Sequence, residues 1–180
     1  LITASMAGYA FARIRFKGSK VLFIVFLATQ MIPAQVTLIP FYLLMSQLGW
    51  VDSHLALIVP GMIANPFAVF LMRQFVLALP RELEEAALVD GAGRWRIFWS
   101  IVLPNLKPGL AALSIITALG VWNAFLFPLV LLNTPDLFTV PLLLTSFQGQ
   151  FGSINYGLVM AASAIATVPM LIVFVIGQRK

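Results

Sequence analysis

The sequence has no cysteine, a single histidine and few charged residues, and each scarcity excludes a class of protein. Without cysteine there is no disulfide and no thiolate metal site, and His54 alone is too little for a histidine-based metal cluster. Charged residues make up 9% of the 180-residue chain and hydrophobic residues 61%. Since a soluble domain carries about 25% charged residues, the excess apolar surface must face lipid or partner proteins.

The net charge of +5 raises the question of nucleic-acid binding, which the placement of the basic residues argues against. The eleven lysines and arginines form no stripe with interleaved aromatic residues on a polar background. They lie in short segments between apolar runs, where membrane topology would place them. We therefore expect a lipid membrane, and no nucleic acid, as the partner of this chain.

Long uncharged stretches predict helices that cross a membrane, each of about 20 residues. The predicted spans are residues 21–47, 55–77, 108–132 and 156–177, the last preceded by turn-forming residues from Gln148 to Asn155. Residues 1–12 are apolar, but as a helix they would reach only about 18 Å. We expect them to be the end of a span whose beginning is missing.

Basic residues alternate along the chain in a way that predicts the orientation of the spans. Ten of the eleven occur in residues 13–20, in residues 80–107 and at the C terminus, and Arg73 lies near the same end of its span, whereas residues 48–54 and 133–155 contain neither lysine nor arginine. Lysine and arginine are concentrated in cytoplasmic loops. We therefore place the three basic segments in the cytoplasm and the other two loops outside.

Prolines and small residues recur within the predicted spans. The prolines favour kinked helices and a gated pathway, although proline is also simply more frequent in membrane helices, and both interpretations stay open. Small residues such as Gly61 and Ala161 are predicted points of close helix approach. The prolines are Pro33, Pro40, Pro60, Pro66, Pro128 and Pro169.

Residues 80–104, here called the two-helix element, form the polar segment with the most specific construction. Pro80 can open a helix, and the carboxylates after it suit the positive end of the helix dipole. Leu83, Ala86, Ala87 and Val89 predict a surface of small and apolar side chains, and Gly91 and Gly93 predict a turn. The pattern indicates a helix-turn-helix that lies along the cytoplasmic face and presents a ridge to a partner.

The second helix of this element is predicted from Arg94 to Val102, with Pro104 as its end and Pro108 as the start of the next span. Its aromatic residues suit the membrane interface: Trp95, Phe98 and Trp99.

The spacing of residues in this element resembles the EAA loop of ABC importer permeases. Glu85-Ala86-Ala87 is followed by three residues and a glycine, Gly91, and nine residues later by Ile101-x-Leu103-Pro104. Residues 7–13, 70–75, 122–125 and 160–162 are similar, in the same order, to the carbohydrate-type branch, the maltose-permease-like inner membrane components of binding-protein-dependent transport. That family has six spans in this type of subunit, so we expect the N-terminal spans and the C-terminal tail to be missing.

The resemblance implies an all-α, polytopic transmembrane bundle of the type I ABC importer class, with residues 1–180 as one permease domain and 80–104 as its cytoplasmic coupling loop. It implies an ABC ATPase dimer docked against residues 82–99, with Glu85, Ala86 and Ala87 in a cleft of the ATPase and Asp90 and Gly91 shaping the turn. It also implies a second permease subunit, which we expect to be a different chain, and an extracytoplasmic binding protein.

No Gly-x-x-x-x-Gly-Lys-[Ser/Thr] segment occurs, so the chain has no P-loop for ATP phosphates. We expect a non-catalytic subunit without its own cofactor, with ATP and magnesium bound by the partner ATPase.

Uncharged polar residues at membrane depth are candidates for the solute path, because polar groups there tend to face the bundle interior. Amides and an indole face suit the hydroxyls and ring faces of a sugar, although each amide can equally bond only a neighbouring helix. Alternatives are a permease for a polyol or glycerol phosphate, an ion-coupled secondary transporter and a structural scaffold. The candidates are Gln30, Gln35, Asn65, Trp122 and Asn123.

Overall fold

The structure is a computed structural model that describes residues 1–63, 65–147 and 156–177, and every regular element in these ranges is helical. The all-α prediction is therefore confirmed for the described part of the chain. Short 3₁₀ turns occupy Thr29–Met31 and Pro135–Leu137, and a π-helical turn occupies Phe98–Val102. The α-helices are α1 (Ile2–Arg13), α2 (Ser19–Ala28), α3 (Ala34–Gln47), α4 (Leu55–Ile63), α5 (Pro66–Ala78), α6 (Glu82–Val89), α7 (Arg94–Ile97), α8 (Leu103–Asn105), α9 (Lys107–Trp122), α10 (Leu126–Leu131), α11 (Val140–Ser146) and α12 (Tyr156–Gly177).

By length and composition, two helical stretches can cross a membrane: Leu55–Ala78, which contains α4 and α5, and Tyr156–Val175. The number rises to four if two bent helix pairs each count as one span, α2 with α3 and the helices of Arg94–Asn105 with α9. The predicted turn residues 148–155 and the basic C terminus lie outside the described residues.

The predicted span 21–47 is not one helix but two, α2 with its 3₁₀ extension and then α3. Ile32, between them, is extended, with φ −78° and ψ 117°. A proline disfavours the helical conformation of the residue before it and has no N–H to donate. The break therefore falls at Ile32-Pro33, inside an apolar stretch that carries no charge to reveal it.

The predicted span 108–132 is also interrupted, because α9 ends at Trp122 and α10 starts at Leu126. In a continuous helix the ring of Pro128 would collide with the carbonyl group of Ala124, four residues earlier. The chain avoids this collision by leaving the helical path at residues 123–125.

The chain divides into two compact units, each described here by itself: Leu1–Pro33 with Met62–Ser114, and Ala34–Gly61 with Ile115–Lys180. In the first unit, α1 packs along α5 at Gly8. A Cβ atom on Gly8 would lie 2.8 Å from the backbone nitrogen of Arg73 and 2.9 Å from the Cβ of Met72. The absence of a side chain therefore permits this approach. Gly61, predicted as a contact point, has nothing within 4 Å of an added Cβ.

Two buried clusters form the core of the first unit. One joins α1, α5 and α9 through Ala4, Ala68, Val69, Met72 and Leu113. The other packs the two-helix element against the ends of α1 and α5. Its members are Tyr9, Val76, Ala87, Ile97, Phe98, Val102 and Leu106.

In the second unit, Asp52 connects the two loops that lack basic residues. Its carboxylate accepts hydrogen bonds from the N–H groups of Asn133 (2.8 Å) and Thr134 (2.9 Å) and from the Thr134 hydroxyl. These bonds, that of the Thr134 hydroxyl foremost, hold the pKa of the Asp52 carboxyl below its ordinary value. In the same unit, a small buried cluster joins α3, α4 and α10 through Met45, Ala56 and Leu131.

Candidate functional site

The first half of the two-helix element is a helix that ends in a glycine turn, as the sequence predicts. The α6 helix carries Glu82, Glu84 and Glu85 in its first turn. At its end the N–H of Ala92 donates to the carbonyl of Ala87 (2.9 Å), while Gly91 has φ +77°. An L-residue with a side chain rarely adopts this conformation, which explains the glycine.

The second half departs from the prediction that Pro104 ends the helix, because helical structure continues through α8 to Asn105. The N–H of Leu103 donates to the carbonyl of Phe98, five residues back, which makes the turn wider than an α-helical turn. An α-helical turn would press the Pro104 ring against the carbonyl of Ser100. The π-helical turn accommodates the proline without ending the helix.

The α6 helix has an outer apolar face and an inner face that packs in the first unit. Val89 is 88% exposed, and Leu83, Glu85 and Ala86 are exposed as well. Ala87, by contrast, is 8% exposed and belongs to the buried cluster with Tyr9. Of the three EAA residues, Glu85 and Ala86 face outward, whereas Ala87 packs inside the unit.

The aromatic residues of the second helix separate in the same way. Trp95 and Trp99 are exposed, whereas Phe98 is 2% exposed and lies with its ring centroid 5.5 Å from that of Tyr9. The prediction that all three aromatic side chains lie at the membrane interface therefore does not hold for Phe98, which is a core residue.

A hydrogen-bonded ion pair, which sequence reasoning missed, holds α6 against α1 and α5. Arg13 Nε donates to Glu84 Oε1 (2.6 Å), and Arg13 Nη2 donates to the carbonyls of Val76 (3.0 Å) and Leu79 (2.6 Å) at the end of α5. The Tyr9 hydroxyl lies 3.3 Å from Glu84 Oε2. The guanidinium group thus satisfies helix-end carbonyls as well as a carboxylate.

In the sequence Arg13 is one of four basic residues in a loop, and Glu84 is one of three carboxylates in a helix. Nothing in either pattern singles out this pair. The arrangement gives the two-helix element a firm attachment to α1 and α5, so a displacement of its outer face would be transmitted to both helices.

A cavity of about 500 Å³ in the second unit brings together two of the five predicted solute-path residues, Trp122 and Asn123. Ser163 and Thr167 of α12 also line it. The volume is in the range of small-molecule sites, and an apolar wall with a few polar groups is typical of them. Trp122 Nε1 donates to the carbonyl of Ala166 (3.1 Å), which fixes the indole ring against α12.

The other three predicted residues do not line this cavity. Gln30 and Gln35 are exposed on either side of the break at Ile32-Pro33. Asn65 is the N-cap of α5, where its Oδ1 accepts a hydrogen bond from the N–H of Ala68 (3.0 Å). For Asn65 the structure thus supplies a role in helix capping.

Apolar helices, an apolar cavity with a few polar groups and a two-helix element with an exposed face are features of a membrane transport subunit. The chain belongs to the family described as binding-protein-dependent transport system inner membrane component, whose family model matches residues 2–179.

Relatives and a solved structure agree with this assignment. The chain is 41% identical over 99% of its length to the arabinooligosaccharides transport system permease protein AraQ of Halalkalibacterium halodurans, of which the match covers 63%. It is 38% identical over its whole length to the lactose transport system permease protein LacG of Rhizobium radiobacter, of which the match covers 65%. The chain thus spans less than two thirds of these relatives.

Among solved structures, the chain resembles part of a bacterial ABC transporter involved in the import of the acidic polysaccharide alginate. The TM-score is 0.84 at 26% sequence identity, and the match covers 99% of this chain and 69% of the other. The fold of the described residues is therefore that of an ABC importer permease.

Proposed function

We propose that the chain is a membrane-spanning permease subunit of an ABC importer that carries a sugar or oligosaccharide delivered by an extracytoplasmic binding protein. The observation that carries the proposal is that Glu85 and Ala86 of the EAA sequence lie on an exposed, partly apolar face of α6. The names of the relatives, which concern arabinooligosaccharides and lactose, support the solute class.

The coupling step follows from the two faces of α6. Leu83, Glu85, Ala86 and Val89 enter a cleft of the ATPase, and Asp90 and Gly91 shape the turn behind them. Ala87 holds the inner face against α1 and α5. ATP and magnesium are bound by the ATPase dimer, and its closure moves the two-helix element and the attached helices, so this chain performs no chemistry itself.

The solute path includes the cavity beside α12, where the indole of Trp122 and the amide of Asn123 face a common space. An aromatic face packs against the apolar side of a sugar ring, and an amide bonds its hydroxyl groups. Gln30, Gln35 and Asn65 remain candidates for other parts of the path.

The proposed topology has four full spans and a partial N-terminal span, with residues 13–20, 80–107 and the C terminus in the cytoplasm of a bacterial cell. The Arg13–Glu84 ion pair supports a common side for the first two segments, because it joins one to the other. The importer is completed by a second, different permease subunit.

Charge reversal at Glu85 tests the coupling step. In the full-length transporter, Glu85→Lys should reduce ATP-dependent uptake of labelled oligosaccharide about tenfold or more, because a central contact with the ATPase is lost. The ATPase should no longer copurify, and Gly91→Pro should have the same effect. Asp136→Lys is the matched control, since Asp136 is exposed in the loop placed outside.

Unchanged uptake in both Glu85→Lys and Gly91→Pro would disprove the coupling role. Uptake that is abolished by an ionophore but indifferent to ATP would instead indicate a secondary transporter. Uptake of a polyol or glycerol phosphate, but of no sugar, would retain the importer and replace its solute.

A further inference from the structure

A pocket of about 290 Å³ in the first unit collects basic side chains from residues 13–20 and 80–107, both placed in the cytoplasm, and from Arg73 of α5. It lies where the ends of α1 and α5 meet the starts of α2, α6 and α7. Glu84 and Glu85 are the two acidic residues among those that line it. The basic residues that line it are Arg13, Arg15, Lys20, Arg73, Arg81 and Arg94.

The basic residues that line this pocket outnumber its acidic residues. Glu84 is already engaged by Arg13. Among the described residues, no ion pair joins Arg15, Lys20 or Arg81 to a carboxylate, and the same holds for Arg94. Concentrating like charges around a small space is unfavourable unless an anion neutralises them. The pocket is therefore suited to a negatively charged ligand.

An apolar cavity of about 240 Å³ adjoins the basic pocket and shares Phe11, Lys20 and Arg73 with it. Phe23 and Ile24 of α2 complete its wall. The guanidinium carbon of Arg73 lies 4.5 Å from the centre of the Phe23 ring. This contact lies at the boundary between the basic pocket and the apolar cavity, since Arg73 lines both and Phe23 only the second. Ile24 is 64% exposed, so the apolar end opens on the outer side of α2.

We propose that the two cavities together bind an anionic phospholipid of the cytoplasmic leaflet. The phosphate group lies among Arg15, Lys20 and Arg81, and an acyl chain runs over Phe23 and Ile24 along α2. Arginine and lysine suit phosphate oxygens, and the cytoplasmic leaflet is rich in anionic lipid. The proposal rests on the orientation given under the proposed function, and it concerns a ligand other than the transported solute.

Native mass spectrometry of the complete detergent-solubilised transporter tests this proposal by counting bound lipids, without any need for transport. Phosphatidylglycerol should bind in preference to phosphatidylcholine. The double variant Arg15→Gln/Lys20→Gln should weaken phosphatidylglycerol binding roughly twentyfold, since each basic residue near an anionic lipid contributes about a factor of five. Lys17→Gln/Lys107→Gln removes the same charge from exposed sites that line neither cavity, and it should bind as the parent does.

Each other outcome has a definite meaning. Equal losses in the two double variants would overturn the proposal, because general surface charge would then explain binding. No preference for phosphatidylglycerol over phosphatidylcholine would also overturn it. Binding of inorganic phosphate together with no binding of phosphatidylglycerol would show a phosphate site and overturn the lipid proposal. The single variant Ile24→Ser, at an exposed position, should weaken lipid binding and leave thermal stability unchanged, and undiminished binding would exclude the acyl-chain site.

Discussion

Two glycines inside helices have opposite surroundings, and this difference decides what each contributes. Gly8 of α1 lies against the backbone of α5, whereas Gly61 of α4 has open space around it. Glycine in a helix interior is unfavourable by roughly 1 kcal/mol relative to alanine. Glycine therefore favours stability at position 8, where a methyl group has no room, but not at position 61, where alanine would fit.

Alanine substitutions at these positions should move stability in opposite directions. Gly8→Ala should lower the free energy of unfolding by about 1–3 kcal/mol, because α1 and α5 must separate. Gly61→Ala should leave it unchanged or raise it by up to about 1 kcal/mol. Thermal unfolding of the purified transporter measures both, and equal destabilisation by the two substitutions would contradict the close contact at Gly8.

Asp52 is the residue whose ionisation should control the connection between the two loops without basic residues. Because its folded-state pKa is lowered, the folded form releases the proton more readily than the unfolded chain does. The stabilisation that the ionised Asp52 carboxylate provides is therefore complete above the ordinary aspartate pKa of about 3.9. It is lost as the pH falls through the lower pKa of the folded state.

Hydrogen exchange of the Asn133 and Thr134 amides should report this change. Their protection factors, corrected for intrinsic exchange, should fall as the pH drops from about 6 to about 3. Asp52→Asn keeps the positive φ of 59°, which asparagine tolerates, but removes the charge, so protection should be lower and independent of pH. Asp136→Asn, in the loop that holds Asn133 and Thr134, is the control, and identical pH profiles for parent and Asp52→Asn would refute the interpretation.

At the scale of elements, α6 is held in place by the guanidinium group of Arg13, on α1, which bonds one carboxylate of α6 and two carbonyls at the end of α5. Arg13 bonds Glu84 and the last carbonyls of α5, and the side chains of the pair are only 6% and 12% exposed. Removing one member leaves the other charge in a poorly solvated position. The attachment therefore depends on both residues together.

Arg13→Gln should destabilise the first unit by about 2–4 kcal/mol, because it strands the Glu84 carboxylate. Adding Glu84→Gln should recover part of this loss, since the two amides can bond each other. The stability of the Arg13→Lys variant should lie between the stabilities of these two variants, because lysine keeps the positive charge but lacks the planar guanidinium group that bonds several acceptors. Thermal unfolding of the parent, the single variants Arg13→Gln and Glu84→Gln and the double variant provides the double-mutant cycle, and additive effects of the two glutamine substitutions would disprove the coupling.

At the scale of the whole molecule, the predicted orientation can be tested directly because the chain has no cysteine of its own. Single cysteines at exposed positions, Lys17→Cys and Lys107→Cys on one side and Asp136→Cys on the other, report access to a membrane-impermeant maleimide. In intact cells only Asp136→Cys should be labelled, and all three should react after the membrane is permeabilised. Labelling of Lys107→Cys in intact cells would place residues 80–107, and the two-helix element with them, outside and defeat the proposed function.

The sequence predicts the two-helix element closely because its determinants are local. Carboxylates start α6, Gly91 supplies a positive φ for the turn, and both are visible within a few residues. The breaks at Ile32-Pro33 and before Pro128 were harder to predict. Membrane helices tolerate proline where other groups satisfy the freed carbonyls, so a proline in an apolar run indicates a kink or a break equally well.

Composition and charge placement by themselves determined that this is an α-helical membrane protein, since a scarcity of charge and its distribution along the chain are properties of the sequence. Only the tertiary structure decided which side chains meet. It turned Ala87 and Phe98 inward, paired Arg13 with Glu84, and gathered Trp122 and Asn123 around one cavity while leaving Gln30 and Asn65 elsewhere. The physical reason is that such contacts join segments distant in sequence, and their geometry depends on how helices pack rather than on any local pattern.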